Sequence, residues 1–204
     1  MRKTNLRQVP FHLQTEIYGP GTTALQTVFE YYGEELDPIK IKKMVGTKKG
    51  KGIWPIQAAI GAANLGFPTE FYSKNLTISQ EAVKELFFKE DIDKYSLQTD
   101  KLLKEAKEAG VATYEKTFSL DELTGFVDLD LIPIVTLDWN IVQGRHNKDY
   151  LGHLVPVVNY DAKNIIVQDS RSRTGAYFNI NRSTFDAARK VLGADEDLIV
   201  IYRK

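Results

Sequence analysis

Two residues in the C-terminal half, His153 and Asp169, have the types and the spacing of a base and its orienting carboxylate. His153 opens the apolar run 154–158, Asp169 closes the next apolar run, and a turn at Asp161 lies eight residues from each. The start of one antiparallel strand faces the end of the next, so the two side chains can be adjacent. An imidazole with a carboxylate on one nitrogen is part of a nucleophilic triad. The spacing alone favours the other interpretation, a structural hydrogen bond at a sheet edge.

A nucleophile for such a pair belongs at a helix N-terminus, where backbone N–H groups can hold an oxyanion. The segment 18–23 precedes the first predicted helix, and Gln14 lies upstream, where its amide N–H could reach the same place. On its own, Gln14 reads as a surface glutamine. The chain contains no cysteine, which excludes disulfides, thiolate metal sites and a thiol nucleophile.

The elements that must position these residues form a helical half followed by a strand-rich half. The patterns predict helices over 22–32, from Asp37-Pro38, over 55–65, and over 183–192 with Ser183 as its N-cap. Strands are predicted over 69–72, 132–137, 154–159, 164–168, 176–180 and 198–202, the last five as an antiparallel sheet. The charged stretch 79–109 is predicted to be an exposed helical insert in one domain that spans residues 1–204.

The composition limits the classes of partner that we expect for this protein. Among 204 residues, Lys+Arg and Asp+Glu both number 27, so no bulk attraction to nucleic acid or to an anionic membrane is expected. Three histidines and no cysteine predict no metal site, and no cofactor is expected. No apolar run reaches the length of a signal peptide or a membrane span, so we expect no membrane insertion and a cytoplasmic location.

The order of several short motifs resembles that of the papain-like peptidases that process the double-glycine leader peptides of bacteriocins. The chain has Val9-Pro10, Gln14, Tyr31-Tyr32-Gly33, Gly152-His153 leading to Asn159-Tyr160-Asp161, and finally Asp169. Each motif is weak alone, but their order and spacing are fairly specific. The resemblance implies an α+β papain-like fold, with N-terminal helices packed on a C-terminal antiparallel sheet. It also implies that Gln14, His153 and Asp169 line the cleft between them and that the ligand is a peptide or protein.

The chain departs from this family at the nucleophile. Counting six residues from Gln14, or thirteen back from Gly33, places Pro20 in the position of the family's cysteine. Matching the Gly-Pro dipeptide would place Tyr18 there instead, but the first register keeps two independent spacings. Proline has neither a nucleophilic side chain nor a backbone N–H, yet it suits the first turn of a helix. The replacement therefore preserves the helix and removes the chemistry.

Three hypotheses follow for the function. The first is a catalytically impaired homologue that binds a peptide or another amide-bearing ligand in the cleft, through Tyr18, Gly21, Thr22, Trp54 and Trp139. The second is an active amide hydrolase with a relocated nucleophile such as Thr22, Thr23 or Tyr18. The third is a structural protein in which the His–Asp pair is a remnant. The sequence leaves enzymatic activity open and favours its absence.

Overall fold

The computed structural model describes residues 7–15, 19–46, 53–77, 92–145, 149–171, 173 and 175–204. Helices in these ranges are α1 Pro20–Tyr31, α2 Pro38–Val45, α3 Pro55–Asn64, α4 Ile92–Glu108, α5 Leu120–Asp128, α6 Trp139–Val142 and α7 Arg182–Arg189. The strands are β1 Thr69–Ser73, β2 Ala112–Glu115, β3 Ile134–Asp138, β4 Gly152–Tyr160, β5 Asn164–Val167, β6 Phe178–Asn181 and β7 Leu198–Ile201.

The described strands form one sheet in the order β2-β1-β7-β3-β4-β5-β6. All pairs from β7 to β6 are antiparallel, as the sequence predicts. The sheet continues beyond them, because β7 pairs antiparallel with β1, and β1 pairs parallel with β2. Strand β2 was not predicted. Its four residues are only half-buried or exposed, and such an edge strand carries little apolar pattern.

Both faces of the sheet are covered, and a hydrophobic core lies on each side. Leu25, Phe29, Ile41 and Ile60 of the N-terminal helices fill the first core, and Leu123 and Phe185 of α5 and α7 belong to the second. Strand β3 serves both cores with alternate residues, so it reads as a continuous apolar run in the sequence. The predicted α+β fold, with the N-terminal helices packed on the sheet, is confirmed.

Helix starts follow from local signals. Helices α1, α2 and α3 each have proline as the first residue, where its missing N–H costs nothing. The carboxylate of Asp37 caps α2 by accepting from the N–H of Ile39 at 2.9 Å. The prediction of Ser183 as a cap is wrong. The side chain of Asn181 accepts from the N–H of Ser183 at 3.0 Å, so α7 starts one residue earlier than predicted.

Part of the predicted insert lies against the body of the protein. Within α4, Leu102 and Ala106 are buried in the first core, which α3 also fills. Lys101 and Glu105 form an i,i+4 ion pair of 3.6 Å on the exposed side of the same helix. Residues 79–91 of the predicted insert lie outside the described residues.

Candidate functional site

His153 and Asp169 meet at one end of the sheet. His153 Nε2 lies 2.9 Å from Asp169 Oδ1, and both residues are buried, with 2% and 5% of their surface exposed. Strands β4 and β5 pair Tyr160 with Ile165, so the hairpin is centred beyond Asp161 and the two residues are diagonal rather than opposite. Long side chains on diagonal positions remain within reach of each other. The count of eight residues on each side is therefore inexact, yet the two groups are in contact.

The surroundings of His153 fix its protonation state. Burial is the largest cause that lowers the pKa of His153 from 6.5; the hydrogen bond and the charge of Asp169 oppose it, and Arg171 adds to the lowering. Burial thus favours the neutral imidazole, and the tautomer in which Nε2–H donates to the Asp169 carboxylate leaves Nδ1 as an acceptor. Asp169 Oδ1 also accepts from the backbone N–H of Arg171 at 3.0 Å. This is the arrangement of a general base held by its carboxylate.

Trp139 supports the imidazole from behind. Its ring meets the His153 ring edge-on, with centroids 4.6 Å apart, and the Arg171 guanidinium lies 5.8 Å from the Trp139 ring centre. Trp139 is 2% exposed and belongs to the second core. Because Trp139 is buried, it would act on a ligand in the cleft indirectly, by holding the His153 ring in place.

Gln14 is held beside Asp169 by two hydrogen bonds to the next residue. The backbone N–H of Gln14 donates to the carbonyl of Ser170 at 2.8 Å, and the Ser170 hydroxyl donates to Gln14 Oε1 at 3.1 Å. Gln168 anchors the same segment, because its amide donates to the carbonyl of Val9 at 2.9 Å. The structure thus brings the N-terminal segment, more than 150 residues away in sequence, to the end of the hairpin.

The start of α1 carries Pro20 at its first position and Gly19 as its N-cap, without a side-chain cap. Thr23 Oγ1 donates to the carbonyl of Gly19 at 3.1 Å. Thr22 is buried, and its Oγ1 makes no hydrogen bond in the described part of the chain. Tyr18, the other predicted residue at this end of the helix, lies outside the described residues.

An open cleft of about 380 Å³ separates the helix starts from the sheet end. The starts of α1 and α3 line one wall, with Pro20, Ile53, Trp54 and Pro55. The sheet lines the other wall, with Thr136, Gly152, His153 and Leu154. Of the predicted residues, Pro20, Trp54 and His153 therefore share this cleft. Gly21 lies just behind its wall, because a Cβ there would be 2.2 Å from Ile53 Cδ1 and 3.2 Å from Leu154 Cδ1.

Sequence reasoning missed several residues that line the cleft, among them Tyr150, Gly193 and Thr136. Tyr150 closes one end, where its hydroxyl donates to the carbonyl of Gly193 at 2.7 Å. Gly193 comes from the loop after α7 and has no local signal in the sequence. Thr136 lies within a predicted strand, and a polar residue in that apolar run was the available signal.

Within the described ranges, no three His, Asp or Glu side chains converge in a way that could hold a metal ion. The helices in these ranges include none with the length and apolar character needed to cross a bilayer.

Comparison with known proteins relates this chain to two groups. Residues 9–201 match the model of the family described as guanylylate cyclase. Guanylyl cyclase 1 of Arabidopsis thaliana is 26% identical over 164 residues, which cover 73% of this chain and 60% of that protein. The chain thus spans about 60% of the length of that relative.

Two solved structures share the fold. The peptidase domain of Streptococcus ComA, a bi-functional ABC transporter involved in a quorum sensing pathway, has a TM-score of 0.55 at 12% identity, with 97% of this chain and 100% of that chain covered. A double glycine motif protease from an AMS/PCAT transporter, in complex with the leader peptide, has a TM-score of 0.54 at 13% identity, with 99% and 96% covered. Because the family model matches most of its length, the chain belongs to the family described as guanylylate cyclase, on the fold of papain-like peptidase domains.

Proposed function

We propose that this protein binds a peptide, or another ligand with amide groups, in the cleft between α1 and the sheet without forming an acyl-enzyme. One observation carries the proposal: the His153–Asp169 pair is intact beside a cleft whose helix begins with Pro20, in a chain without cysteine. A general base alone cannot start covalent catalysis, because the attacking atom must come from a nucleophile within its reach.

The hydroxyl groups of two threonines at the start of α1 are poorly placed to replace the missing thiol. Thr23 Oγ1 is hydrogen-bonded to the carbonyl of Gly19, and Thr22 Oγ1 is buried without a partner in the described part of the chain. Neither hydroxyl is hydrogen-bonded to His153, which a serine-like mechanism would need. These contacts favour binding over a relocated nucleophile.

The shape of the cleft suits an extended chain. Trp54 and Leu154 offer apolar surface from the two walls, and His153 Nδ1 offers one acceptor to a ligand N–H. Pockets of this kind, mostly apolar with a few polar groups, are typical binding sites. The double glycine motif protease of the same fold was solved with a leader peptide, which makes a peptide with two adjacent glycines the natural probe.

Fluorescence anisotropy of a short fluorescein-labelled peptide that contains a Gly-Gly pair tests the proposal. We expect saturable binding to the full chain, with no cleavage by mass spectrometry, and weaker binding to Trp54→Ala and His153→Ala. Leu129→Ala is the matched control, because Leu129 is 72% exposed and does not line the cleft. Absence of binding, or binding that both cleft variants leave unchanged, contradicts the proposal.

The sequence relatives favour a second candidate, the cyclisation of GTP. The matching family model and the Arabidopsis relative both carry the name of that activity. Incubation of the purified chain with GTP and Mg²⁺ or Mn²⁺, followed by quantification of cyclic GMP, tests it. Production of cyclic GMP that is lost in His153→Ala would identify the cyclisation of GTP, and not peptide binding, as the function of this cleft.

A further inference from the structure

Two helix N-termini open onto the same cleft. Pro20 and Pro55, the first residues of α1 and α3, both line it. The helices are 12 and 10 residues long, long enough for a full macrodipole at each start. Neither first turn contains an acidic residue that would offset the positive end of the dipole. The dipoles of the two helices therefore make this wall electropositive without any cationic side chain, although Pro20 and Pro55 themselves supply no N–H donor.

The opposite wall contributes a hydroxyl group that has no partner. Thr136 lines the cleft and is only 3% exposed, and its Oγ1 makes no hydrogen bond within the described ranges. Burial of a hydroxyl group without a hydrogen bond costs about 1–3 kcal/mol. Because Thr136 Oγ1 is itself almost fully covered, a ligand oxygen that accepts its hydrogen bond and removes that cost must reach it by a small displacement of the cleft wall.

We propose that the cleft captures the C-terminal carboxylate of a peptide, held between the starts of α1 and α3 and the hydroxyl of Thr136. This inference rests on the proposed peptide binding and specifies which part of the peptide is recognised. Binding of a free carboxylate breaks no covalent bond and therefore needs no nucleophile. It is thus compatible with proline at the start of α1.

Charge decides between a carboxylate and a nucleotide phosphate. Each helix N-terminus acts as roughly half of an elementary positive charge, so two supply about +1. That matches one carboxylate, whereas a triphosphate carries several negative charges and needs Lys, Arg or a metal ion. Among the described residues that line the cleft, none is Lys, Arg, Asp or Glu.

The charges beyond the cleft wall do not reverse this preference. The carboxylate of Asp169 is occupied by other groups, because its Oδ1 accepts from Nε2–H of His153 and from the backbone N–H of Arg171. His153 stays neutral, so its Nδ1 can accept the last peptide N–H while the helix starts take the carboxylate. The helix wall would thus bind the terminal carboxylate, and the sheet wall would bind the peptide N–H next to it.

Matched peptides test the inference. The same fluorescein-labelled sequence ending in Gly-Gly is prepared with a free carboxylate and with a C-terminal amide, and both are titrated into the full chain. We expect the acid to bind at least about tenfold more tightly, because hydrogen bonds and dipoles that face a charge contribute more than those that face a neutral group. Thr136→Val should reduce that ratio to less than about threefold, and Thr136→Ser should restore it.

Thr124→Val is the control, because Thr124 is as buried but its Oγ1 donates to the carbonyl of Asp121 at 3.1 Å, away from the cleft. Circular dichroism confirms that each variant folds. Equal affinity for acid and amide overturns the inference and leaves the proposed function standing, whereas binding of neither peptide overturns both. Displacement of the acid by GTP or inorganic phosphate at lower concentrations than by free glycylglycine also overturns the inference, in favour of a phosphate site.

Discussion

The hydroxyl of Tyr150 donates a 2.7 Å hydrogen bond to the carbonyl of Gly193, and this bond closes one end of the cleft. It joins the segment before β4 to the loop after α7, which are 43 residues apart in sequence. The neighbouring Gly152 leaves room for the tyrosine, because a Cβ at that position would lie 2.8 Å from Tyr150 Oη and 3.1 Å from its ring. The glycine before His153 thus has a steric role of its own.

Gly152→Ala should displace the Tyr150 ring and break its bond to Gly193. We expect a loss of about 1–3 kcal/mol in the free energy of unfolding, as for other overpacked positions. Gly125→Ala is the control, because no atom lies within 4 Å of a Cβ there and the residue is inside helix α5. Replacement of a helix glycine by alanine should raise stability by about 0.5–1 kcal/mol. Urea denaturation measures both, and equal effects would contradict the steric argument.

Arg189 holds the loop that supplies Gly193. The guanidinium is 3% exposed on its side chain and binds Glu196 at 2.5 Å, Asp186 at 2.8 Å and the carbonyl of Phe118 at 2.8 Å. Arg189→Met should therefore cost about 3–5 kcal/mol, because it leaves the nearly buried Glu196 without its counter-ion. In the same helix, Arg182→Met breaks an ion pair with the exposed Asp121 and should cost less than about 1 kcal/mol. Denaturant midpoints that show similar losses would contradict this contrast.

Pro20→Cys returns a thiol to the start of α1. A cysteine at a helix N-terminus, close to an imidazole, is more acidic than a free thiol and reacts faster at low pH. Since the chain has no other cysteine, alkylation by iodoacetamide reports on this position alone. We expect it to react at pH 6.5 at least about tenfold faster than Leu129→Cys on the exposed surface, with the advantage lost in a double variant with His153→Ala.

Equal alkylation rates in these variants would mean that Pro20 and His153 do not face each other closely enough for chemistry. Cleavage of the Gly-Gly peptide by Pro20→Cys, but not by the natural sequence, would support the proposal that Pro20 occupies the position of a lost nucleophile.

A double-mutant cycle on His153 and Asp169 separates a ligand-binding role from a structural one. Asp169→Ala leaves Nε2–H of His153 buried without its acceptor, which should cost about 1–3 kcal/mol. The losses in free energy of unfolding caused by the single substitutions at His153 and Asp169 should be non-additive by a similar amount. If the double variant loses stability but keeps the peptide affinity of the natural protein, the pair is only structural.

Stability should depend on pH through His153. Its pKa is lower in the folded protein than the ordinary 6.5, mainly because of burial, so the unfolded chain takes up the proton first on acidification. The free energy of unfolding should thus fall as the pH drops below about 6.5, by up to about 1.4 kcal/mol per pH unit. Urea denaturation at pH 7.5 and 5.5 should show a smaller loss of stability on acidification for His153→Gln than for the natural protein. The same loss in both would contradict the assignment.

The sequence predicted those parts of the fold that rest on local patterns. The helix after Asp37 and the turn at Asp161, whose Oδ1 accepts from the N–H groups of Lys163 and Asn164 at 2.7 Å, have short-range causes. Strand β2 and the loop around Gly193 have none, because their positions depend on what packs beside them.

The same distinction between local and packing-dependent features holds for the candidate site. The spacing of His153 and Asp169 pointed to their contact even though the turn centre was misplaced, since long side chains tolerate a diagonal arrangement. Nothing in the sequence around Thr136 says that its hydroxyl lacks a partner, because that depends on every neighbour at once. Such a residue becomes visible only when the hydrogen bonds of the folded chain are counted.

The double link between Gln14 and Ser170 has a consequence for biosynthesis. The segment that carries Gln14 is translated long before Ser170, so it cannot take its native place until the ribosome has passed residue 170. Contacts of such long sequence separation also slow folding in general. During translation the apolar faces of the N-terminal helices thus stay uncovered until the strands of the sheet follow, a situation in which nascent chains are prone to aggregate.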